Sequence, residues 1–183
     1  MRAVVIYESM FGNTRRIAEA VADGLANAVE VRLTRADQVL ETDLEGADLV
    51  VVGAPTHAWS LPRANTRQSA LATARRSDND LVLEPAADTS PGVREWLHSL
   101  GRLRVAGTAF DTRFHAPRLF TGHASKAISR ILRHDGVDVV LSPESFFVDR
   151  QNHMVAGEEE RARAWGRRLG LEVAHRVRPG APS

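Results

Sequence analysis

Ala3-Val-Val-Ile-Tyr7-Glu-Ser-Met-Phe-Gly12-Asn-Thr14-Arg-Arg-Ile17-Ala-Glu-Ala-Val21-Ala-Asp-Gly-Leu25 changes its apolar period partway along. Ala3–Tyr7 is a short apolar run rich in β-branched residues, the pattern of a buried strand. A polar turn, Glu8–Asn13, follows. From Thr14 the apolar residues fall at Ile17, Ala18, Val21, Ala22 and Leu25, which is helical spacing. A strand, a turn bearing glycine and hydroxyls, and a helix start together make an anion site. The first-turn N–H groups of a helix lack main-chain partners, and the helix dipole favours negative charge there. Gly12 allows close backbone approach, and Ser9 and Thr14 supply hydroxyl donors.

Outward from this stretch, the remaining chain alternates strands and helices. Val29–Leu33 alternates as a strand with one polar face, and Arg35–Asp48 is polar with room for a short helix. Asp48–Gly53 is a continuous apolar run suited to a strand covered on both faces. Pro55 and Pro62 make Gly53–Pro62 a loop. Leu61–Arg76 reads as helical, Ser77–Gly92 as a surface loop and Val93–Leu100 as a helix. Val105–Phe110 is a fourth strand and Asp111–Gly122 a second loop. Ser125–Arg133 is helical, and Val137–Leu141 is a fifth strand with Ser145–Val148 extending it past Pro143. Glu158–Ala174 is an amphipathic helix, Glu-rich at its start and Arg-rich at its end, which suits the dipole. Residues 1–175 are expected to form one α/β domain, a parallel sheet with helices on both faces, and Arg176–Ser183 a frayed tail.

Composition narrows the chemistry. The 183 residues carry 24 Lys and Arg against 23 Asp and Glu, a formal charge of +1, so no global field points to nucleic acid. The chain contains no Cys, which excludes disulfides, thiolate catalysis and thiolate metal sites. Its seven His residues show no metal-ligand spacing, so no metal site is expected. No signal peptide and no apolar run of spanning length is evident, and a cytoplasmic location is expected.

In open sheets of this kind, ligands sit at the carboxyl ends of the strands where strand order reverses. The loops Glu8–Thr14, Ala54–Pro62 and Asp111–Gly122 leave such ends. At these residues the chain resembles the flavodoxin family over about residues 2–172. The family's phosphate loop reads Thr/Ser-x-Thr/Ser-Gly-x-Thr, and Ser9-Met10-Phe11-Gly12-Asn13-Thr14 matches it at the first hydroxyl, the Gly and the last Thr. Phe11 replaces the middle hydroxyl, as in a Ser-Met-Phe/Tyr-Gly variant of the motif. Gly53-Ala54-Pro55-Thr56-His57-Ala58-Trp59 resembles the family's loop after strand three, which sets an aromatic ring on the flavin. His57 stands where that ring is usual, and Trp59 is favoured for the role, its alternative being to pack beneath the loop. Thr108-Ala109-Phe110-Asp111-Thr112 opens the third loop, without the family's Tyr; Phe114 either covers the flavin or packs as core.

The resemblance implies a three-layer fold with a five-stranded parallel sheet of order 2-1-3-4-5, bound FMN, and electron transfer on the flavin itself, with no catalytic side chain. The site residues it implies are Ser9, Met10, Phe11, Gly12, Asn13, Thr14, Pro55, Thr56, His57, Ala58, Trp59, Thr108, Ala109, Phe110, Asp111 and Thr112. Two other roles stay open: an oxidoreductase of quinone or protoporphyrinogen type, and a flavin-binding or flavin-free interaction module. Between Arg102 and Arg133 stand Arg102, Arg104, Arg113, Arg118, Lys126, Arg130 and Arg133 against Asp111 alone. A basic surface around Arg113 and Arg118 would take a redox partner protein or a small anionic substrate. Rival folds lack their residues. A nucleotide triphosphatase needs Lys after the loop Gly, where Asn13 stands, and no Gly-x-Ser-x-Gly of an α/β hydrolase occurs.

Overall fold

A computed structural model describes residues 1–56, 61–62, 83–84, 91–115 and 122–177. Of the helix expected over Leu61–Arg76 only Leu61 and Pro62 are described, outside any helix, and most of the loop expected over Ser77–Gly92 lies outside the described residues. So do the last six residues of the chain.

The elements run β1 (Arg2–Tyr7), α1 (Asn13–Leu25), β2 (Glu30–Arg35), α2 (Glu41–Leu44) and β3 (Leu49–Pro55). Then come α3 (Val93–Ser99), β4 (Ala106–Phe114), α4 (Ala124–His134), β5 (Asp138–Val139), β6 (Glu144–Val148) and α5 (Glu158–Val177). These strands pair in parallel with one another, in the order β2-β1-β3-β4-β5, with β6 also paired to β4. The expected order 2-1-3-4-5 is therefore the one found. The fifth position is shared by two short strands. Ala106 pairs with Asp138 and Phe110 with Glu144, so the edge strand takes two more residues than β4 between these points. Pro143 cannot donate to a ladder, and the bulge absorbs it. There the Thr108 hydroxyl donates to the Leu141 carbonyl at 3.0 Å.

Each side of the sheet carries its own core. Ala3, Val5, Tyr7, Leu49, Val51 and Phe110 point towards α1 and α5, whereas Val4, Ile6, Val50, Val52 and Ala109 point towards α3 and α4. This is the two-residue period of a strand buried on both faces. The register sets Tyr7, Gly53 and Phe110 side by side on β1, β3 and β4. A Cβ at Gly53 would lie 2.0 Å from Phe110 Cζ, so the ring of Phe110 lies over the bare backbone of β3. Phe146 and Trp165 meet that ring edge-on, with centroids at 6.2 and 6.4 Å. Gly53, expected both as the end of the third strand and as the start of a flavin-facing loop, belongs to the sheet and its core. Helices α1 and α5 close together through two more glycines: a Cβ at Gly24 would lie 2.2 Å from the Arg163 carbonyl oxygen, and one at Gly166 2.4 Å from that of Val21.

Expected boundaries move: β3 runs on to Pro55, and the fifth strand, expected over Val137–Leu141, shortens to Asp138–Val139. Asp111–Phe114, read as the start of a loop, continues β4 in register with Ser145–Val148 of β6. Helix α5 passes Ala174 and runs to Val177, where Arg176 pairs with Glu172 and with Asp138 of β5. At its start, the Glu158 carboxylate accepts the Phe147 N–H at 2.8 Å. Arg161 joins Glu158, Glu144 and the Ser145 carbonyl while stacking on the Phe146 ring. Among the described residues no helix is long and apolar enough to cross a membrane.

Candidate functional site

The parallel sheet points the ends of β1, β3 and β4 towards the same edge. Glu8 N–H donates to the Gly53 carbonyl at 2.9 Å, and Thr56 N–H to that of Thr112 at 2.8 Å, so the turns after β1 and β3 leave together. Within the turn Ser9–Thr14, Gly12 adopts φ +87°, a left-handed conformation that glycine takes without a Cβ penalty. Its N–H donates to Ser9 Oγ at 3.1 Å, closing the turn on itself.

Helix α1 begins with no side-chain cap and no acidic residue in its first turn. The N–H groups of Phe11, Asn13 and Thr14 find no acceptor among the described residues. Most helices satisfy these donors with an N-cap oxygen. Here no described residue does so, and the three N–H groups stand at the positive end of the helix dipole. Thr14 and Thr112 hydroxyls meet at 2.7 Å, both almost wholly buried. One donates to the other, so the second keeps a proton that can go to a ligand oxygen. The Asn13 side chain donates to the Asn152 carbonyl at 2.7 Å and braces the loop against the turn after β6. That turn is shaped by Asp149, whose carboxylate accepts the N–H groups of Gln151 and His153 at 2.9 and 2.8 Å. These hydrogen bonds, that from His153 foremost, hold the Asp149 carboxyl below its ordinary range.

The other expected site residues divide into four groups. Met10 is buried, and Ser9, Phe11 and Gly12 are half-buried around the turn. Thr108, Ala109 and Phe110 lie inside the sheet with no exposed surface. Pro55 ends β3. Thr56 and Asp111 are tied to the start of α4: Ala124 N–H donates to Thr56 Oγ1 at 3.1 Å, and Ser125 N–H to Asp111 Oδ2 at 2.8 Å. His57, Ala58 and Trp59 lie outside the described residues.

Arg113 requires a correction. Its side chain was expected on a basic surface, yet it is 6% exposed, with the guanidinium 4.8 Å from the centroid of the Phe147 ring. Alternation along β4 turns it towards Phe147, its partner on β6, and the ring face attracts the cation. Arg118 lies outside the described residues. The exposed cations of this region are Arg102 and Arg104 before β4, and Lys126, Arg130 and Arg133 along the outer face of α4. Phe114 is exposed rather than core.

Two functional candidates escaped the sequence reading. Asn152 is one; Glu84 is the other. Glu84 N–H donates to the Met10 carbonyl at 2.9 Å, and its carboxylate takes Arg15 Nε at 2.6 Å, beside the loop. Both lie far from the loop in sequence, and neither sits in a motif. Among the described residues no cluster of three or more His, Asp or Glu could hold a metal ion.

The family model of flavodoxin matches residues 5–96, half of the chain. A flavodoxin of Aquifex aeolicus is 37% identical over 68 residues, covering 34% of this chain and 37% of that protein. The chain therefore matches little more than a third of that relative's length. Among solved structures, a flavodoxin from the domain Archaea superposes with a TM-score of 0.63 at 20% identity, covering 96% of this chain and all (100%) of that one. The flavodoxin of Streptococcus pneumoniae TIGR4 gives 0.62 at 20%, covering 97% and 100%. Oxidised Flavodoxin 1 from Bacillus cereus gives 0.59 at 18%, covering 96% and 98%. The matched segment holds the turn Ser9–Thr14 and all of β3, and on that match this chain belongs to the flavodoxin family.

Proposed function

We propose that the chain binds FMN and works as an electron carrier for a partner protein. The observation that carries this reading is the uncapped start of α1, where three main-chain N–H groups have no acceptor among the described residues and the Thr14–Thr112 hydroxyl pair keeps one proton to donate. A terminal phosphate suits that donor set, because it brings several acceptor oxygens and negative charge to a helix N-terminus. FMN, once bound, supplies one- and two-electron chemistry at its ring.

The chain's residues hold and orient it. Ser9, Met10, Phe11, Gly12, Asn13 and Thr14 form the phosphate turn, with Thr112 behind Thr14. On the motif alone, Thr56, His57 and Trp59 are assigned to the ring, with Trp59 its stacking partner. Asp111 and Thr112 bring the end of β4 to the same edge. The redox partner presents an acidic face to Lys126, Arg130 and Arg133, which project from α4, the helix whose first turn is held by Thr56 and Asp111.

The test is the quenching of FMN fluorescence by the purified, flavin-stripped chain. Saturable quenching in the micromolar range or below supports the reading, and no quenching there refutes it. NAD(P)H oxidation by the chain alone marks an oxidoreductase, whereas reduction of a partner only when a reductase and NAD(P)H are added marks a carrier.

A further inference from the structure

The phosphate turn has a carboxylate of its own beside it. Glu84 is fastened there twice, by its main-chain N–H to the Met10 carbonyl at 2.9 Å and by its side chain to Arg15 Nε at 2.6 Å. Its Oε1 lies 3.5 Å from where a Cβ of Gly12 would stand, at the residue that opens α1. Glu84 is largely buried, whereas Arg15 is half in solvent and also pairs with Glu19 at 2.9 Å. Of the two guanidinium groups in the first turn of α1, Arg16 pairs with Glu159 at 2.6 Å and Arg15 is shared by two carboxylates. A phosphate arriving at the turn meets an engaged cation and a nearby like charge.

We infer that the Arg15–Glu84 pair sets the affinity and phosphate specificity of this turn, Glu84 holding the guanidinium that a ligand phosphate would otherwise engage. The inference rests on the flavin-phosphate reading above. Glu84 weakens phosphorylated flavin selectively, because a ligand lacking phosphate does not compete for Arg15. The loss of the middle hydroxyl at Phe11 acts in the same direction. The turn keeps its amides but contributes less to affinity than they alone permit.

Tyr7, the chain's sole Tyr, reports on the same charge in the ligand-free protein. Its phenol is pushed up by burial first and by the Glu84 carboxylate next, against the opposing pull of Arg15 and Arg35 and with a smaller push from Glu19.

The experiment uses the full flavin-stripped chain, wild type and Glu84→Gln, titrated with FMN and with riboflavin. Glu84→Gln is expected to tighten FMN by about tenfold and to leave riboflavin within about twofold, the size of one like charge removed at short range in a partly solvated site. Inorganic phosphate should displace FMN from the variant at a lower concentration than from wild type once each is at half saturation. Without ligand, Glu84→Gln lowers the Tyr7 pKa, read from phenolate absorbance. Arg15→Gln, which leaves the carboxylate uncompensated, weakens FMN. Should Glu84→Gln fail to fold, Glu84→Asp, which shortens the reach to Arg15, is expected to move FMN in the same direction by a smaller factor. Equal shifts for FMN and riboflavin, or an FMN affinity unchanged by the substitution, overturn the inference while leaving the cofactor reading intact. If neither flavin binds either protein, the cofactor reading fails and this inference falls with it.

Discussion

Replacing Gly53 by Ala places a methyl group where Phe110 keeps its ring. In a strand taken alone, Gly→Ala stabilises by roughly 0.5–1 kcal/mol because it removes backbone freedom from the unfolded chain. Here the new Cβ lies 2.0 Å from Phe110 Cζ and 2.4 and 2.5 Å from its two Cε atoms. Carbon atoms rest about 3.5–4.0 Å apart, so the ring must retreat by roughly 1.5 Å. It has nowhere to go, since Phe110 is fully buried between Phe146 and Trp165. Overpacking of this kind costs about 1–3 kcal/mol, and three clashing atoms place Gly53→Ala at about 3.

The clashing atoms are those that Leu lacks. Phe110→Leu alone should cost about 2 kcal/mol, less than full truncation of a buried Phe. Combined with Gly53→Ala it should remain near 2, not rise to the additive value of about 5, a coupling of about 3 kcal/mol in the rescuing direction. Urea unfolding of the four proteins measures this directly. Additivity within about 0.5 kcal/mol, or a Gly53→Ala protein as stable as wild type, would refute the packing argument.

The hydroxyl pair gives a second cycle. Thr112→Val strands the buried Thr14 hydroxyl and should cost about 1–2 kcal/mol, whereas Thr14→Val with Thr112→Val should cost less than the sum, checked by the same unfolding assay. Asp149→Asn tests the turn that braces Asn13. A carboxylate held below its ordinary range stabilises the fold when ionised, so its contribution is present above the ordinary carboxylate value and is lost as pH falls through the depressed one. The variant should melt lower than wild type at pH 7, and the two melting temperatures should converge as the pH falls below the ordinary carboxylate range and through the depressed value. Replacing Lys126, Arg130 and Arg133 by Glu should slow electron transfer to an acidic acceptor at low salt. The difference should vanish above about 0.5 M salt, where the Debye length is only a few ångströms, and an unaltered low-salt rate would count against the α4 surface.

How far the sequence could be read depended on how local the deciding forces are. β1 and β3 are covered on both faces, so nearly every residue is apolar and the runs Ala3–Tyr7 and Leu49–Val52 announce themselves. The turn after β1 is equally local, since Gly12 φ, the Ser9 hydroxyl and the start of α1 lie within six residues. β4 was cut short for the opposite reason. Asp111, Thr112 and Arg113 are loop-like by composition, yet each is buried against a distant partner: Ser125, Thr14 and Phe147. Gly53 was read by motif, and its steric reason, the Phe110 ring, is visible only once β3 and β4 are in register.

The same division runs through the candidate site. The amides that suit an anion arise from three consecutive elements and could be anticipated from spacing. Their competitor could not, because nothing in the sequence around Glu84 marks it as a neighbour of Met10 and Arg15, sixty-nine residues or more away. A motif match at Ser9–Thr14 therefore speaks to whether an anion can be held, whereas the strength of the hold is set by tertiary charge. If Phe11 alone weakened the site, restoring a hydroxyl with Phe11→Thr would recover affinity whatever stands at 84. With Glu84 still on Arg15, that substitution adds one donor and should gain about 1 kcal/mol or less. With Glu84→Gln present the guanidinium is also free, and the two changes together should exceed either alone. Fluorescence titration with FMN separates these cases, and full recovery from Phe11→Thr alone would leave the ion pair with no part in setting affinity.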